Sequence, residues 1–242
     1  MKPRTPLMES ADGSIRYSTD GNFIYAEKDG TQIRLDMFAG HYYKLRPFNG
    51  IPVLEIDGLR MQLVRDFKTP LEYAEKVVQG LRIPSSGKFT ALDTCMGLGY
   101  TAIELSKRKS VGLVATCEVS EAVITLAKWN PFSDALFSKG GKIVVMEGSA
   151  LGHAKSFESG MFDFVVHDPP RFSHAPELYS AEFYSELLRI TKKGAKLFHY
   201  TGSVGKAKGR DIGREVEKRL SFAGFRILSR NARLQGIYAE KQ

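Results

Sequence analysis

From Phe89 onward, short apolar runs alternate with segments of helical periodicity, and this alternation constrains the fold more than any other feature of the chain. The runs are FTALD, GLVATCE, KIVVME, FDFVVHD and AKLFHY, separated by YTAIELSKR, SEAVITLAKWN, SALGHAKSF and ELYSAEFYSELLRI. Strands joined through helices run parallel, and a parallel sheet is covered on both faces, so its strands are nearly continuous in apolar residues. The expected architecture is α/β, with a doubly wound, mostly parallel sheet over residues 88–242. Its end departs from the repeat: a helix near 211–223, then FRILSR and GIYAEK, predict a terminal antiparallel hairpin.

Before Phe89 the pattern is different. SIRYS, FIYAE, TQIRLDMF, IPVLEID and GLRMQLVRDF are separated by TDGN, KDG and similar turn chemistry, which predicts a small antiparallel β domain over residues 1–68. Thr69 followed by Pro70 opens PLEYAEKVVQGL, with Leu71, Ala74, Val77 and Val78 on one helical face, so residues 69–87 read as a linking helix and connector. With 43% hydrophobic and 26% charged residues in 242, a disordered, collagen-like or coiled-coil chain is excluded. No window resembles a bilayer span, and MKPRTPLMESADG lacks the apolar stretch of a secretory signal, so the expected setting is cytoplasmic, with no membrane partner. Cys95 and Cys117 suit neither a disulfide framework nor a structural zinc site, and no metal is expected.

The net charge of +8 favours an anionic partner. Twelve basic residues against three acids lie between Thr191 and Gln235. Within them, TGSVGKAKGRDIG intersperses Lys206, Lys208 and Arg210 among four glycines, a loop suited to phosphates of RNA or of a phosphorylated metabolite.

Ligands of open α/β sheets bind beyond the carboxyl ends of the strands. There the first strand runs through Asp93 into a turn containing Gly97 and Gly99 and then a helix. Glycines let a ligand approach the backbone closely, although helix-to-sheet packing also uses small residues. Glu118 closes the second strand about 25 residues later, where a carboxylate can accept from two ribose hydroxyls. In HDPPRF, neither Pro169 nor Pro170 can donate to a ladder, so Asp168 projects from a stiff corner. His167 reads as a buried, hydrogen-bonded residue. His199, in LFHYTG, is the better candidate for a general base, with Tyr200 similarly placed.

With LDTCMGLG, CE and DPPR in place, residues 88–241 resemble a class I S-adenosylmethionine-dependent methyltransferase domain. The resemblance implies a seven-stranded Rossmann-like methyltransferase sheet. It also implies a donor pocket of Asp93, Cys95, Gly97, Gly99, Glu118, Val119, Ser149 and Ala150, with Asp168 beside the transferred methyl. Two departures stand out: Cys95 replaces the usual first glycine, and Ser149 replaces an Asp that often meets the adenine amino group. In methyltransferases with an Asp/Asn-Pro-Pro-aromatic motif, the acid and a proline carbonyl orient an amino group while the aromatic ring stacks on it. Here Arg171 takes the aromatic place and Phe172 follows, so nitrogen is only slightly favoured as acceptor.

LEIDGLRMQLVRDFKTPLEYAE is similar to a run in spermidine synthases through Asp57, Gly58, Gln62, Arg65, Asp66, Tyr73 and Glu75, which implies a role for Gln62 and Tyr73 at the substrate. Those enzymes use an acid in the glycine loop to recognise the ammonium of decarboxylated S-adenosylmethionine, and Leu98 stands in that place. Methyl transfer is therefore expected, with aminopropyl transfer as the alternative. The whole chain resembles predicted archaeal methyltransferases related to spermidine synthase, and its four Asn and five Gln fit a heat-adapted source. The expected catalytic set is Asp168, Pro169, Pro170 and His199. The substrate side is Gln62, Tyr73, Arg171, Phe172, Tyr200, Lys206, Lys208 and Arg210, and homodimerisation is left open.

Overall fold

The structure is a computed structural model that describes residues 4–10, 12–202 and 212–242. Eight short strands come first. β1 (Thr5–Glu9), β2 (Arg16–Thr19), β3 (Ile24–Lys28) and β4 (Thr31–Arg34) form one antiparallel sheet. β5 (Asp36–Ala39), β6 (His41–Phe48), β7 (Ile51–Ile56) and β8 (Leu59–Arg60) form a second. Three hairpins turn through Asp29–Gly30, Asn49–Gly50 and Asp57–Gly58, all at positive φ, the conformation that matches the twist of the flanking strands.

Two segments differ from expectation. TQIRLDMF divides at Leu35, whose N–H donates to Ile24 of one sheet while its carbonyl accepts from Leu45 of the other, each at 2.9 Å. One buried residue thus passes the chain between sheets. GLRMQLVRDF pairs only over Leu59–Arg60 before the chain turns away, reaching positive φ at Asp66.

α1 (Pro70–Gly80) follows, with the Thr69 hydroxyl accepting from Glu72 N–H at 3.1 Å and Tyr73, Ala74, Val77 and Val78 buried. Next come β9 (Phe89–Asp93), α2 (Tyr100–Ser106), β10 (Val111–Glu118), α3 (Glu121–Lys128) and β11 (Ile143–Glu147). After them come α4 (Ala150–Ser156), β12 (Phe162–His167), α5 (Ala181–Ile190), β13 (Thr191–Tyr200), α6 (Ile212–Ala223), β14 (Phe225–Asn231) and β15 (Gly236–Lys241). The seven strands lie in the order β11-β10-β9-β12-β13-β15-β14, with β9 to β13 parallel and the last two forming the antiparallel hairpin.

Each face of the sheet has its own core. Val77 and Val78 of α1, Leu105 of α2 and Val123 of α3 pack on one face in a cluster continuous with Tyr17, Ile24, Leu45 and Leu54 of the β domain. Ala154 of α4, Phe183 and Leu187 of α5 and Leu220 of α6 cover the other. The sheet is doubly wound. Strand order reverses between β9 and β12, and the crevice beyond their carboxyl ends is where such sheets bind ligands. No helix among the described residues is long and apolar enough to cross a membrane.

The last hairpin clamps α1. Arg233 donates to Glu72 at 2.9 Å and to the Asp66 carbonyl at 2.7 Å, while the Tyr238 hydroxyl donates to the Val77 carbonyl at 3.0 Å. A Cβ on Gly80 would stand 2.0 Å from that hydroxyl. Alanine normally gains up to about 1 kcal/mol over glycine within a helix, whereas overpacking costs about 1–3 kcal/mol. Gly80→Ala is therefore expected to lower stability, checked as a lower urea midpoint with an unchanged slope.

Candidate active site at the strand ends

Asp93 ends β9 fully buried, its two carboxyl oxygens accepting from Thr101 of α2 at 3.1 Å and Thr116 of β10 at 2.7 Å. Burial pushes its carboxyl up to about 7. It ties the first turn of α2 and the neighbouring strand to the end of β9, and so shapes the loop between them. In that loop Gly97 and Gly99 have φ of 53° and 77°. A Cβ on Gly99 would fall 2.3 Å from the Leu136 side chain, whereas one on Gly97 would meet only the Gln62 amide nitrogen, at 3.7 Å. Gln62 of the β domain, its carbonyl oxygen accepting from Leu54 N–H at 2.7 Å, thus stands over the loop.

Glu118 ends β10 and is fixed by two backbone donors: Gly97 N–H at 3.0 Å on one oxygen and Ser120 N–H at 3.0 Å on the other. Burial raises its carboxyl, and these N–H groups oppose that shift. A carboxylate can accept about four hydrogen bonds, so acceptor capacity remains beyond these N–H groups and that of Val119, which acts in the same direction. Beside it Val119 is 71% exposed, an apolar patch on the rim. Ser149 is exposed and caps α4, its hydroxyl accepting from Gly152 N–H at 3.0 Å, and Ala150 is buried behind it.

Asp168 follows β12. Burial pushes its carboxyl up to about 7. Tyr73 of α1 is its neighbour: the buried Tyr73 hydroxyl makes no hydrogen bond of ordinary geometry, yet lies close enough to Asp168 to oppose the rise of that carboxyl. Burial, with Asp168 and Tyr200 alongside, pushes that phenol well above its ordinary value. Tyr200, at the end of β13, is pushed up to about 12 by burial and then by Asp168. The Pro170 carbonyl accepts from the Tyr179 hydroxyl at 2.9 Å, and no hydrogen bond reaches the Pro169 carbonyl among the described residues. Arg171 is exposed and near Tyr200, and Phe172, 48% exposed, meets Tyr179 edge-on at 5.6 Å.

The structure therefore brings Gln62, Tyr73, Gly97, Glu118, Asp168 and Tyr200 to one face. Cys95 also belongs there, its thiol pushed well above its ordinary value by burial, with Glu118, Asp93 and Asp168 adding to the shift. Two sequence expectations change. His199 is fully buried with both ring nitrogens engaged, by the Tyr184 hydroxyl at 2.9 Å and the Tyr200 carbonyl at 2.6 Å, so it offers a substrate no lone pair. Leu98, 1% exposed, points into the core instead of toward the loop's ligand side. Five cations of the basic stretch are paired: Lys192 with Asp163, Lys218 with Glu215, Arg226 with Glu240, Arg230 with Glu217 and Arg233 with Glu72. Lys206, Lys208 and Arg210 lie outside the described residues. His167 is buried and hydrogen-bonded as its place in a parallel strand requires. Thr101, Thr116 and Tyr179 carried no signal in sequence, because their roles exist only once distant elements meet. Among the described residues no cluster of His, Cys, Asp and Glu is arranged to hold a metal.

No family model matches the chain. It is 40% identical over 227 residues to the uncharacterized protein MJ1233 of Methanocaldococcus jannaschii, covering 93% of this chain and 76% of that one. The chain belongs to that protein's family. Its fold is shared with a spermidine synthase solved with the transition state analogue AdoDATO, at TM-score 0.68 and 18% identity over 88% of this chain and 76% of that one. It is shared also with the spermidine synthase of Thermotoga maritima, at 0.65 and 15% over 98% and 79%. A SAM-dependent methyltransferase from Aquifex aeolicus matches at 0.52 and 22% over 70% and 89%. The first two likenesses extend over the β domain as well as the parallel sheet.

The raised carboxyls at Asp93 and Asp168 carry a pH signature. Each binds its proton more tightly folded, near 7, than unfolded, near 3.8. Their contribution to stability is thus full below about pH 4 and lost as pH rises through about 7. Relative to the parent, Asp168→Asn is expected to raise the thermal midpoint at about pH 8 and to leave it nearly unchanged at about pH 4.

Proposed function

We propose that the protein is an S-adenosylmethionine-dependent methyltransferase. The observation that carries the reading is Glu118, gripped by backbone N–H groups of Gly97 and Ser120 at the strand-order switch and left with acceptor capacity for ribose hydroxyls. The buried Tyr73 hydroxyl, beside Asp168 but in no hydrogen bond of ordinary geometry, fits a bound polar group in the same crevice. One structural neighbour holds AdoDATO and another is a SAM-dependent methyltransferase, which supports an adenosyl donor.

When bound, the donor supplies a methyl group already activated on a sulfonium. The protein's part is to hold a nucleophile in line and to exclude water. Glu118 would hold the ribose, Val119 would lie against the base, and the Gly97 backbone would admit the amino-acid end. Asp93 acts from behind by fixing the loop. Asp168 and the free Pro169 carbonyl are the acceptors for an N–H-bearing nucleophile, and the Tyr73 hydroxyl is a donor to the same group. A carboxyl near 7 can take a proton from that nucleophile at neutral pH. Nitrogen is the favoured acceptor atom, and an anionic substrate such as RNA is favoured through Arg171 with Lys206, Lys208 and Arg210.

Aminopropyl transfer is the second reading, favoured by the spermidine synthase likeness over 98% of the chain. It requires an acid for the exposed ammonium of the decarboxylated donor. From Thr94 to Tyr100 there is none, and the nearest, Asp93, has both oxygens occupied by threonines. Backbone N–H groups at this turn suit a carboxylate instead.

Calorimetry with S-adenosylmethionine and its decarboxylated form decides between them: the intact donor is expected to bind more tightly. Glu118→Ala should weaken it by about 10–100-fold, the range of a charge-assisted hydrogen-bond pair. Asp168→Ala should abolish transfer with donor affinity nearly retained. Absence of binding by either donor would overturn both readings.

A further inference from the structure

Two buried histidines, two buried tyrosines and an arginine gather around the Asp168 corner, outside the set of residues to which a substrate or donor contact has been assigned. His167 and His199 are opposite each other on β12 and β13, their rings edge to face at 4.4 Å. A carbonyl only accepts, so the contacts fix the tautomers. His167 Nε2–H donates to the Leu178 carbonyl at 3.0 Å, and Nδ1 accepts from the Thr94 hydroxyl at 2.6 Å. His199 Nδ1–H donates to the Tyr200 carbonyl at 2.6 Å, and Nε2 accepts from the Tyr184 hydroxyl at 2.9 Å. Both rings are thus neutral, and burial holds both below the ordinary histidine range.

Tyr179 completes this frame. It is 3% exposed, packs on both histidine rings and on Phe172, and donates its hydroxyl to the Pro170 carbonyl at 2.9 Å. Its own carbonyl accepts from Arg219 of α6 at 2.6 Å. Pro170 has no N–H to donate, and its carbonyl accepts from the Tyr179 hydroxyl, the side-chain contact that fixes the far end of the corner among the described residues.

We propose that Tyr179, steadied by Arg219, is a positioning residue that holds the Asp168–Pro169–Pro170 corner so that Asp168 stays in its half-buried place beside Tyr73. This rests on the reading of Asp168 as the group facing the acceptor, but its test does not require turnover. If the corner is released, Asp168 gains water and its carboxyl moves toward the ordinary range.

The experiment is a carboxyl-carbon NMR titration of aspartate-labelled protein, with Asp168 assigned through Asp168→Asn. The parent Asp168 should titrate near neutrality. Tyr179→Phe keeps the ring packing and deletes one hydrogen bond, and should lower that midpoint by at least about one unit. Arg219→Gln should act in the same direction. Tyr184→Phe loses a hydrogen bond at similar depth without touching Pro170 and should leave the midpoint in place. With an acceptor in hand, Tyr179→Phe should reduce kcat by about 10–100-fold and keep donor affinity within about twofold. An unmoved Asp168 midpoint in Tyr179→Phe, an equal shift in Tyr184→Phe, or a parent Asp168 titrating in the ordinary carboxylate range would each overturn the proposal. Failure of the parent to transfer methyl to any acceptor would overturn the functional reading alone, since the titration reads the corner directly.

Discussion

One carboxylate joins the parts of this site. Glu118 accepts from Gly97 N–H in the loop after β9 and from Ser120 N–H at the start of α3, so the end of one strand holds the turn leaving another. The other ties of the glycine loop, Asp93 to its threonines, Met96 N–H to the Cys117 carbonyl and the Ser133 hydroxyl to the Leu98 carbonyl, do not engage Gly97 N–H. The loop is close-packed beneath, where Gly99 abuts Leu136, and open above, where Gly97 faces Gln62. A ligand can enter only from the open side, so the β domain, which supplies Gln62, is part of the crevice wall.

The parallel sheet, the terminal hairpin and the helix capped by Thr69 were legible in sequence because local periodicity and turn chemistry agree with the global packing there. The split of TQIRLDMF at Leu35 was not, because its alternation continues unbroken and only tertiary hydrogen bonds show that N–H and C=O serve different sheets. Glu118 and Asp168 were legible as strand-end acids. The part played by Asp93 was not, since nothing in ALDTCMGLGYT shows that Thr101 returns to it or that Thr116 of the next strand meets its other oxygen.

The basic stretch teaches a similar lesson. Counted along the chain it is a block of positive charge, yet five of its twelve members pair with Asp163, Glu215, Glu217, Glu240 and Glu72, acids drawn from well outside the block as well as within it. Lys192 and Lys193 also begin β13 and so lie at the end of the sheet remote from the crevice. Sequence charge density describes a surface only after pairing is known, and exposed pairs of this kind contribute little to stability in any case.

The clamp on α1 has a consequence for biosynthesis. The helix bearing Tyr73 is made early, yet it is seated by Arg233 and Tyr238 of a hairpin that follows it by more than a hundred residues. Domains fold largely from the amino terminus as they emerge, but here the crevice wall stays unfinished until β14 and β15 have been made. A nascent or prematurely terminated chain would carry the glycine loop and the Asp168 corner without a settled partner opposite them, and so would be spared from sequestering ligand before it is complete.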